Sequence, residues 1–273
     1  MDQWTTGYLV SHGTKLHYYR TGGSKHPLVL IHGITDDGLC WTPVAELLTN
    51  EYDVVMVDVR AHGKSDAPDS GYDYKTIADE IVGLINELKL EHPLVMGHSM
   101  GAMLSLTLAG LYPGLPRAII LEDPPAFWRT RLPSQEELDG RAFMKTWILG
   151  LKRKAHADLL KDIHSASPSW SEDEASPWID SKHRLSHKII QLIDSPDAVP
   201  ANFHELLQQI TCPTLLIIAD HELGAILTDE DVTELQRSVH HLERVQIPDA
   251  GHNIRREQFF NYMESVQRYL KEL

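Results

Sequence analysis

Cysteine is scarce in this chain, which holds only two, Cys40 and Cys212. They lie far apart in the sequence and form none of the spacings that are typical of redox or zinc sites. This pattern argues against a disulfide-rich scaffold, although a single disulfide between the two stays open. The simpler expectation is two free thiols in a reducing cytoplasm.

The chain is also poor in positively charged residues and has no long apolar runs. The chain carries 25 Lys and Arg residues against 39 Asp and Glu residues, a net charge of −14. Such an acidic protein is a poor candidate for binding nucleic acid or an anionic membrane surface. No apolar run approaches the length that crosses a bilayer, and the first residues lack the basic and apolar regions of a signal peptide. We therefore expect a cytoplasmic protein with no nucleic-acid partner and no membrane insertion.

A metal site is likewise not indicated by the histidines, of which there are 16. They are scattered, and the pairs His183/His187 and His240/His241 have no carboxylates or cysteines placed as further ligands. We interpret these pairs as surface residues and expect no metal.

Short apolar runs that alternate with helical patterns are what the chain does have. Residues 8–11 and 16–20 alternate apolar and polar side chains, which predicts an antiparallel hairpin. Continuous apolar runs are typical of strands buried on both faces, and they occur at 28–31, 54–57, 94–96 and 118–121. Further strands are predicted at 214–218 and 244–247, where the alternation of strands and helices resumes. Repeated strand–helix units predict a mostly parallel sheet covered by helices on both faces.

The most informative stretch is Gly97-His98-Ser99-Met100-Gly101, which follows an apolar strand and precedes an alanine- and leucine-rich helix. A Gly-x-Ser-x-Gly turn of this kind holds its serine in a strained conformation above the sheet, and the two glycines let strand and helix approach closely. The pattern predicts a serine nucleophile. The alternative is an ordinary strand-to-helix turn that happens to carry a serine.

The alternation of strands and helices is interrupted between residues 126 and 210. Helical patterns alone occur there, at 136–150, 152–163, 172–193 with an interruption at Pro177, and 203–210. An insertion at the carboxyl ends of parallel strands lies where open α/β sheets bind ligands. We therefore expect a core formed by residues 1–125 and 211–273, with residues 126–210 forming a helical cap.

The chain resembles the α/β-hydrolase superfamily along nearly its whole length. The segments that carry the resemblance are 32–35 (His-Gly-Ile-Thr), 58–66 (Asp-Val-Arg-Ala-His-Gly-Lys-Ser-Asp), 97–101 and 249–252 (Asp-Ala-Gly-His). The resemblance implies an α/β-hydrolase fold: an eight-stranded, mostly parallel sheet with an inserted helical cap. It also implies hydrolysis without a cofactor.

A serine hydroxyl needs a base, which the superfamily takes from a histidine after the last strand. His252 fits that position. His240 and His241 precede the last strand, and His221 lies in an earlier loop. His98, beside the serine, is expected to point away from the site and pack in the turn.

The carboxylate that would orient His252 is less clear from the sequence. The usual superfamily position, after the seventh strand, maps onto Glu222, but the residues that follow it depart from the common pattern. Some relatives instead use an acid after the sixth strand, where Asp123 fits. We favour Asp123, with Glu222 as the alternative and Asp220 and Glu122 as more distant choices.

The resemblance also implies an oxyanion hole formed by the backbone N–H groups of Ile34 and Met100. Asp36 and Asp37 follow Ile34, and we interpret them as part of a solvated loop. Several aromatic residues fall in or near the expected cap: Phe127, Trp128, Phe143, Trp147, Trp170 and Trp178. Each could belong to a small helical core, and Trp128 and Trp147 are the ones we expect to line a substrate pocket.

These features together predict a serine hydrolase that cleaves a carboxylic ester or lactone of a small, largely apolar substrate through an acyl-enzyme. Two alternatives stay open: hydrolysis of a carbon–carbon bond by the same residues, and a small-molecule receptor that keeps the fold and the triad. A serine at position 99 disfavours epoxide hydrolase and haloalkane dehalogenase chemistry, because those relatives carry Asp there.

Overall fold

One eight-stranded sheet forms the centre of the protein in the computed structural model, which describes residues 4–129, 134–168 and 170–273. In sequence order the strands are β1 (Thr5–Ser11), β2 (Thr14–Arg20), β3 (His26–Ile31), β4 (Tyr52–Asp58), β5 (Leu94–His98), β6 (Ala118–Glu122), β7 (Thr214–Ile218) and β8 (Leu242–Gln246). Their spatial order is β1-β2-β4-β3-β5-β6-β7-β8. β1 pairs antiparallel with β2, and β2 with β4, whereas all other neighbours are parallel. The predicted mostly parallel sheet is confirmed.

Helices cover both faces of this sheet. The described helices are α1 (Thr42–Leu48), α2 (Tyr74–Glu87), α3 (Met100–Leu111), α4 (Gln135–Leu151), α5 (His156–Ala166), α6 (Glu172–Arg184), α7 (Ile190–Asp194), α8 (Phe203–Gln208), α9 (Asp229–Ser238), α10 (Ile254–Glu257) and α11 (Phe259–Glu272). Side chains of α2, α3, α8 and α9 pack on one face, and those of α1, α10 and α11 pack on the other.

Strand β3 shows why the apolar runs are continuous. Leu28 and Leu30 point into one core, and Val29 and Ile31 into the other, because successive side chains of a strand lie on opposite faces. Both faces are covered, so a polar residue at any of these positions would be buried without water. An uninterrupted apolar run is the sequence signature of that arrangement.

The direction of winding reverses between β3 and β5, which are neighbours in the sheet. From β3 the chain continues to β4 on one side, and from β5 it continues to β6, β7 and β8 on the other. The loops after β3 and β5 therefore diverge and leave a crevice at the carboxyl ends of these strands. The segment 32–37 and Ser99 lie at this edge.

Helices α4 to α8 all lie between β6 and β7, in the segment expected to form the cap. Three of them share a small apolar cluster of their own, composed of Leu151, Leu159, Ile163, Trp170, Ala175, Trp178 and Ile179. α8 instead packs on α3, where a Cβ at Gly110 would come within 2.6 Å of the Leu206 carbonyl oxygen. The exact domain boundaries stay a prediction.

Pro177 does not interrupt α6, contrary to the sequence expectation. It lies inside the helix, which continues to Arg184, and the chain leaves helical geometry at Leu185 (φ −61°, ψ +131°). The missing N–H of a proline removes one hydrogen bond of a helix but does not by itself end it. Among the described residues, no helix is long and apolar enough to cross a membrane.

Candidate active site

Ser99 stands at a strained turn between β5 and α3. Its backbone has φ +53° and ψ −115°, and its N–H donates to the Glu122 carbonyl oxygen at 2.9 Å. A Cβ at Gly97 would lie 2.2 Å from the carbonyl carbon of Gly101, and one at Gly101 would lie 2.1 Å from the Ile31 carbonyl oxygen. Only glycine fits at both places, so β5 and α3 can approach closely on either side of Ser99.

His252 and Asp123 form a hydrogen-bonded pair at the same edge of the sheet. Nδ1 of His252 lies 2.7 Å from Oδ2 of Asp123, whose side chain is fully buried. The backbone N–H groups of Ile226 and Leu227 donate to the two oxygens of this carboxylate, at 2.8 and 3.1 Å. Three donors thus hold the carboxylate in one orientation, and the imidazole in turn is held by it.

Electrostatics at this pair favour a basic imidazole. Burial by itself would lower the pKa of His252, but the hydrogen bond and the charge of Asp123 outweigh burial and raise it above 6.5. His252 hydrogen-bonds to Asp123 and His98, and among the described residues it makes no hydrogen bond to Ser99 Oγ. Contacts between a nucleophile and its base are often long before substrate binds.

The alternative acids lie in other environments. Glu222 is exposed in a short 3₁₀ helix, residues 221–223, after β7. Asp220 accepts hydrogen bonds from the backbone of Asp249 at 2.8 Å and from Gln246 at 3.2 Å, so it stabilises the loop that follows β8. Glu122 is buried and bound to Arg255, which leaves Asp123 as the acid that contacts His252 among these candidates.

The peptide unit between Gly33 and Ile34 is fixed from its carbonyl side. The Gly33 oxygen accepts hydrogen bonds from the Asp36 N–H at 3.1 Å and from His32 Nδ1 at 2.8 Å. Because C=O and N–H point in opposite directions across a trans peptide, these bonds fix the direction in which the Ile34 N–H points. Met100 is the first residue of α3, where the N–H has no partner in the preceding turn and is free to donate.

His32 and His62 support the loop that carries Ile34. His32 is fully buried, which lowers its pKa to about 3 and keeps the ring neutral. Its Nδ1 therefore donates to Gly33, while its Nε2 accepts from the Val59 N–H at 3.1 Å. His62 Nε2 lies 2.7 Å from the Ile34 carbonyl oxygen and its Nδ1 lies 2.8 Å from the Arg60 carbonyl oxygen, so the loop is contacted from both sides.

His98 packs in the turn as expected, but it does not point away from the site. Its Nε2 donates to the backbone carbonyl of His252 at 2.9 Å, and the two rings lie 4.7 Å apart. Burial and the nearby Arg255 guanidinium lower its pKa well below the ordinary value, so the ring is neutral. His98 thus contacts the loop that carries His252.

Asp36 and Asp37 are not solvated, and that interpretation is wrong. Their exposed fractions are 3% and 1%. Asp36 contacts Lys182 and Arg256 at 3.0 and 2.9 Å, and Asp37 contacts Arg184 at 2.7 Å. The cationic partners come from the cap segment and from α10, so the chain next to Ile34 lies beneath charged side chains of distant elements.

The expected pocket aromatics have different surroundings. Trp128 is fully buried, and its Nε1 donates to the Asp231 carbonyl oxygen at 2.9 Å, so it is a core residue and its assignment to the pocket is wrong. Trp147 is only partly buried and packs 6.5 Å from Trp178, and its assignment stays a prediction. No group of three or more His, Cys, Asp or Glu side chains in the described ranges is placed to hold a metal ion.

Comparison with known proteins adds to this geometry. The sequence profile of the alpha/beta hydrolase fold matches residues 26–255. N-formylmaleamate deformylase from Pseudomonas putida is 28% identical over 254 residues, which is 91% of this chain and 90% of that protein. 2-(Acetamidomethylene)succinate hydrolase from Mesorhizobium japonicum is 38% identical over 104 residues, or 38% of this chain and 37% of that protein.

Among solved structures, N-formylmaleamic acid deformylase from Pseudomonas putida S16 superposes with a TM-score of 0.81. The match is 25% identical and covers 96% of this chain and all of the other. Hydrolysis is the activity that these three proteins share. The groups near Ser99 in this chain are an imidazole, a buried carboxylate and backbone N–H groups.

Proposed function

The chain belongs to the alpha/beta hydrolase fold family, and from this premise we propose that it is a serine hydrolase acting on small carboxylic esters or lactones. In this proposal Ser99 is the nucleophile, His252 the general base and Asp123 the acid that orients it. The backbone N–H groups of Ile34 and Met100 bind the oxyanion. The reaction needs no cofactor, because the acyl group is carried by the protein itself.

The observation that carries the proposal is the 2.7 Å contact between His252 Nδ1 and Asp123, beside a serine with φ +53°. With Nδ1–H donated to the carboxylate, Nε2 keeps its lone pair and can accept the serine proton. The side chain of Asp123 is 0% exposed and that of His252 is 27% exposed, so the carboxylate is shielded from water while the imidazole remains accessible.

The chemical steps follow from these roles. Ser99 Oγ attacks the acyl carbon while its proton passes to Nε2 of His252. The tetrahedral intermediate collapses when His252 returns that proton to the leaving alkoxide, which departs as an alcohol. A water molecule then attacks the acyl-enzyme, His252 accepts a proton from it, and the carboxylic acid leaves as Ser99 recovers its hydrogen.

Charge on the carbonyl oxygen is stabilised by donors that need no rearrangement. The Ile34 N–H belongs to a peptide unit held by Asp36 and His32, and the Met100 N–H stands at the positive end of α3. Fixed donors of this kind typically contribute about 10²- to 10³-fold each to kcat.

Amide hydrolysis is a second candidate function for the same residues. The two relatives named as hydrolases of N-formylmaleamate and 2-(acetamidomethylene)succinate act on compounds with an acyl group on nitrogen and with carboxylate groups. The mechanism would be unchanged except that His252 would protonate a leaving nitrogen. Residues 126–210 would cap the site in either case, with Trp147 as part of the pocket wall.

The test compares both bond types at one acyl size. Turnover would be measured on p-nitrophenyl esters from C2 to C12 and on p-nitroacetanilide, the amide that matches p-nitrophenyl acetate. The proposal predicts turnover of esters that disappears in Ser99→Ala, with a chain-length optimum that reports the pocket size. Faster turnover of the amide than of its matched ester would favour the second candidate, and no turnover of any acyl compound would refute both.

A further inference from the structure

Asp36 occupies a special position in the loop that follows β3. It lies two residues after Ile34, and its own N–H donates to the Gly33 oxygen at 3.1 Å. That oxygen belongs to the peptide unit whose N–H is the proposed oxyanion donor. A displacement of Asp36 would therefore turn this peptide unit and redirect the donor.

The Asp36 carboxylate is held by cations from two distant elements. Oδ1 contacts Lys182 Nζ of α6 at 3.0 Å, and Oδ2 contacts Arg256 of α10 at 2.9 Å. The Lys182 side chain is 0% exposed and that of Arg256 is 1% exposed. Burial alone would raise the pKa of Asp36, but Arg256, Lys182 and Arg255 hold it well below its usual range.

Lys182 binds the loop at more than the carboxylate. Its Nζ also donates to the Thr35 carbonyl oxygen at 2.8 Å, and it lies 4.2 Å from the centre of the Trp178 ring. The neighbouring Ser181 hydroxyl lies 3.1 Å from the same Thr35 oxygen and 2.7 Å from the Trp178 carbonyl oxygen, its closer acceptor. One turn of the cap helix α6 is thus hydrogen-bonded to the residue next to Ile34.

Arg256 extends the connection to the histidine loop. Its NH1 donates to Asn253 Oδ1 at 3.1 Å, and Asn253 directly follows His252. Its Nε donates to Glu174 of α6 at 3.0 Å, so this arginine contacts the cap helix as well as Asp36. Asp36, Lys182, Arg256 and Glu174 form a linked set of two carboxylates and two cations, which we call the clamp. Arg255 lies 3.5 Å from Asp36 and adds a further cation beside it.

The hydrogen bonds of the clamp are directional, whereas the contacts of a hydrophobic core are not. Buried ion pairs often add no more stability than apolar side chains of similar volume. Their hydrogen bonds, in contrast, require particular positions of the partners, because a displaced partner leaves a buried charge unsatisfied. The clamp can therefore fix the relative positions of the Ile34 loop, the His252 loop and α6.

We infer that Asp36 is a positioning residue for the reaction. Through Lys182, the alignment of the oxyanion donor, the Ile34 N–H, depends on the position of cap helix α6. The inference rests on the proposed function, since it assigns the clamp a role in aligning the same N–H and imidazole. A cap that is displaced at Lys182 would leave the substrate site open and the oxyanion peptide misaligned.

The first experiment replaces Lys182 by methionine, which keeps the length of the side chain and removes the charge. The matched control is Lys154→Met, which removes the exposed ion pair that Lys154 makes with Asp162 at 2.5 Å in the cap segment. With a p-nitrophenyl ester, Lys182→Met should lower kcat by about 10- to 100-fold, the scale of a small misplacement of catalytic groups, and change KM much less. Lys154→Met should leave both constants unchanged, and equal kcat values in the two folded variants would overturn the inference.

Two further variants distinguish a catalytic effect from an effect on folding alone. Asp36→Asn keeps the shape of the side chain but cannot neutralise the two cations, and Lys182→Arg keeps a cation next to Asp36. We expect kcat to fall in Asp36→Asn and to recover partly in Lys182→Arg relative to Lys182→Met. Recovery of thermal stability without recovery of kcat in Lys182→Arg would show a purely structural role and overturn the inference.

Hydrogen exchange separates this inference from the proposed function. In Lys182→Met the amides of residues 34–38 and 253–258 should exchange faster than in wild type, whereas in Lys154→Met they should not. If these amides exchanged at the wild-type rate in Lys182→Met, the inferred role of the clamp would be overturned, even if the protein were an active esterase. A wild-type protein that hydrolysed no acyl compound would refute the proposed function, and the exchange result would still decide whether the clamp couples these loops.

Discussion

Nδ1 of His252 donates to Oδ2 of Asp123 across 2.7 Å, although the two residues are 129 positions apart in the sequence. Asp123 itself has φ +43°, an uncommon conformation for a residue with a side chain. Such strain persists only where the surroundings fix it, and here the hydrogen bonds from Ile226 and Leu227 do so. The pair is the structural centre of the predictions below.

The identity of the acid gives the first prediction. Asp123→Asn should lower kcat by about 10⁴-fold, because an amide favours the wrong tautomer of the imidazole. Glu222→Gln, the matched control at the usual superfamily position, should change kcat little, since Glu222 is exposed. Both variants would be compared on one activated ester after circular dichroism confirms folding. A large loss of kcat in Glu222→Gln, together with a nearly normal kcat in Asp123→Asn, would make Glu222 the acid instead of Asp123.

The pH dependence of the reaction gives the second prediction. In the proposed mechanism His252 acts as a base only when its ring is neutral, and Asp123 raises the pKa of the ring above 6.5. The rate constant kcat/KM should therefore fall on the acid side with a midpoint above pH 6.5. In Asp123→Asn the stabilisation of the charged ring is lost, so the midpoint of the residual activity should move to lower pH. An unmoved midpoint would mean that another group titrates.

The tight turn at Ser99 gives the third prediction. Gly97→Ala should destabilise the protein by about 1–3 kcal/mol or more, because the new Cβ meets backbone atoms at 2.2 Å. Gly140→Ala is the control, since nothing lies within 4 Å of its Cβ position in α4. That change should stabilise by roughly 0.5–1 kcal/mol, as for glycine in a helix interior. Urea denaturation measures both free energies of unfolding, and equal effects would refute the close approach.

Trp128 and Trp147, which the sequence suggested for the pocket, give the fourth prediction. Trp128→Phe removes a buried donor to the Asp231 carbonyl and should lower stability by about 1–3 kcal/mol without a change in KM. Trp147→Ala should instead change KM most for the longest acyl chains, if this residue lines the pocket. A chain-length profile that is unaffected by Trp147→Ala would place the pocket elsewhere.

The strands and the tight turn at Ser99 were predictable from the sequence because their signals are local. An apolar run of four residues indicates a strand buried on both faces, and Gly97 and Gly101 indicate that strand and helix backbones approach closely. His98 shows the limit of such signals. Its neighbours in the chain predict a packed side chain, but its hydrogen bond to the His252 carbonyl joins residues 154 positions apart.

The burial of Asp36 and the closure of the clamp could not be predicted for the same reason. Lys182 and Arg256 lie 146 and 220 positions from Asp36. An acid in a loop is ordinarily solvated, and only the tertiary structure brings both cations to it. Trp128 was misassigned because a buried core tryptophan and a pocket tryptophan have the same local sequence pattern.

The most direct test of the central claim is the location of a covalent adduct. The protein would be treated with a fluorophosphonate, which forms a stable ester with an activated serine, and the modified peptide would be identified by mass spectrometry. The account predicts a single adduct on Ser99, formed together with the loss of ester hydrolysis and absent from Ser99→Ala. Ester hydrolysis that persists in pure, folded Ser99→Ala, or an adduct on another residue that abolishes activity, would contradict it.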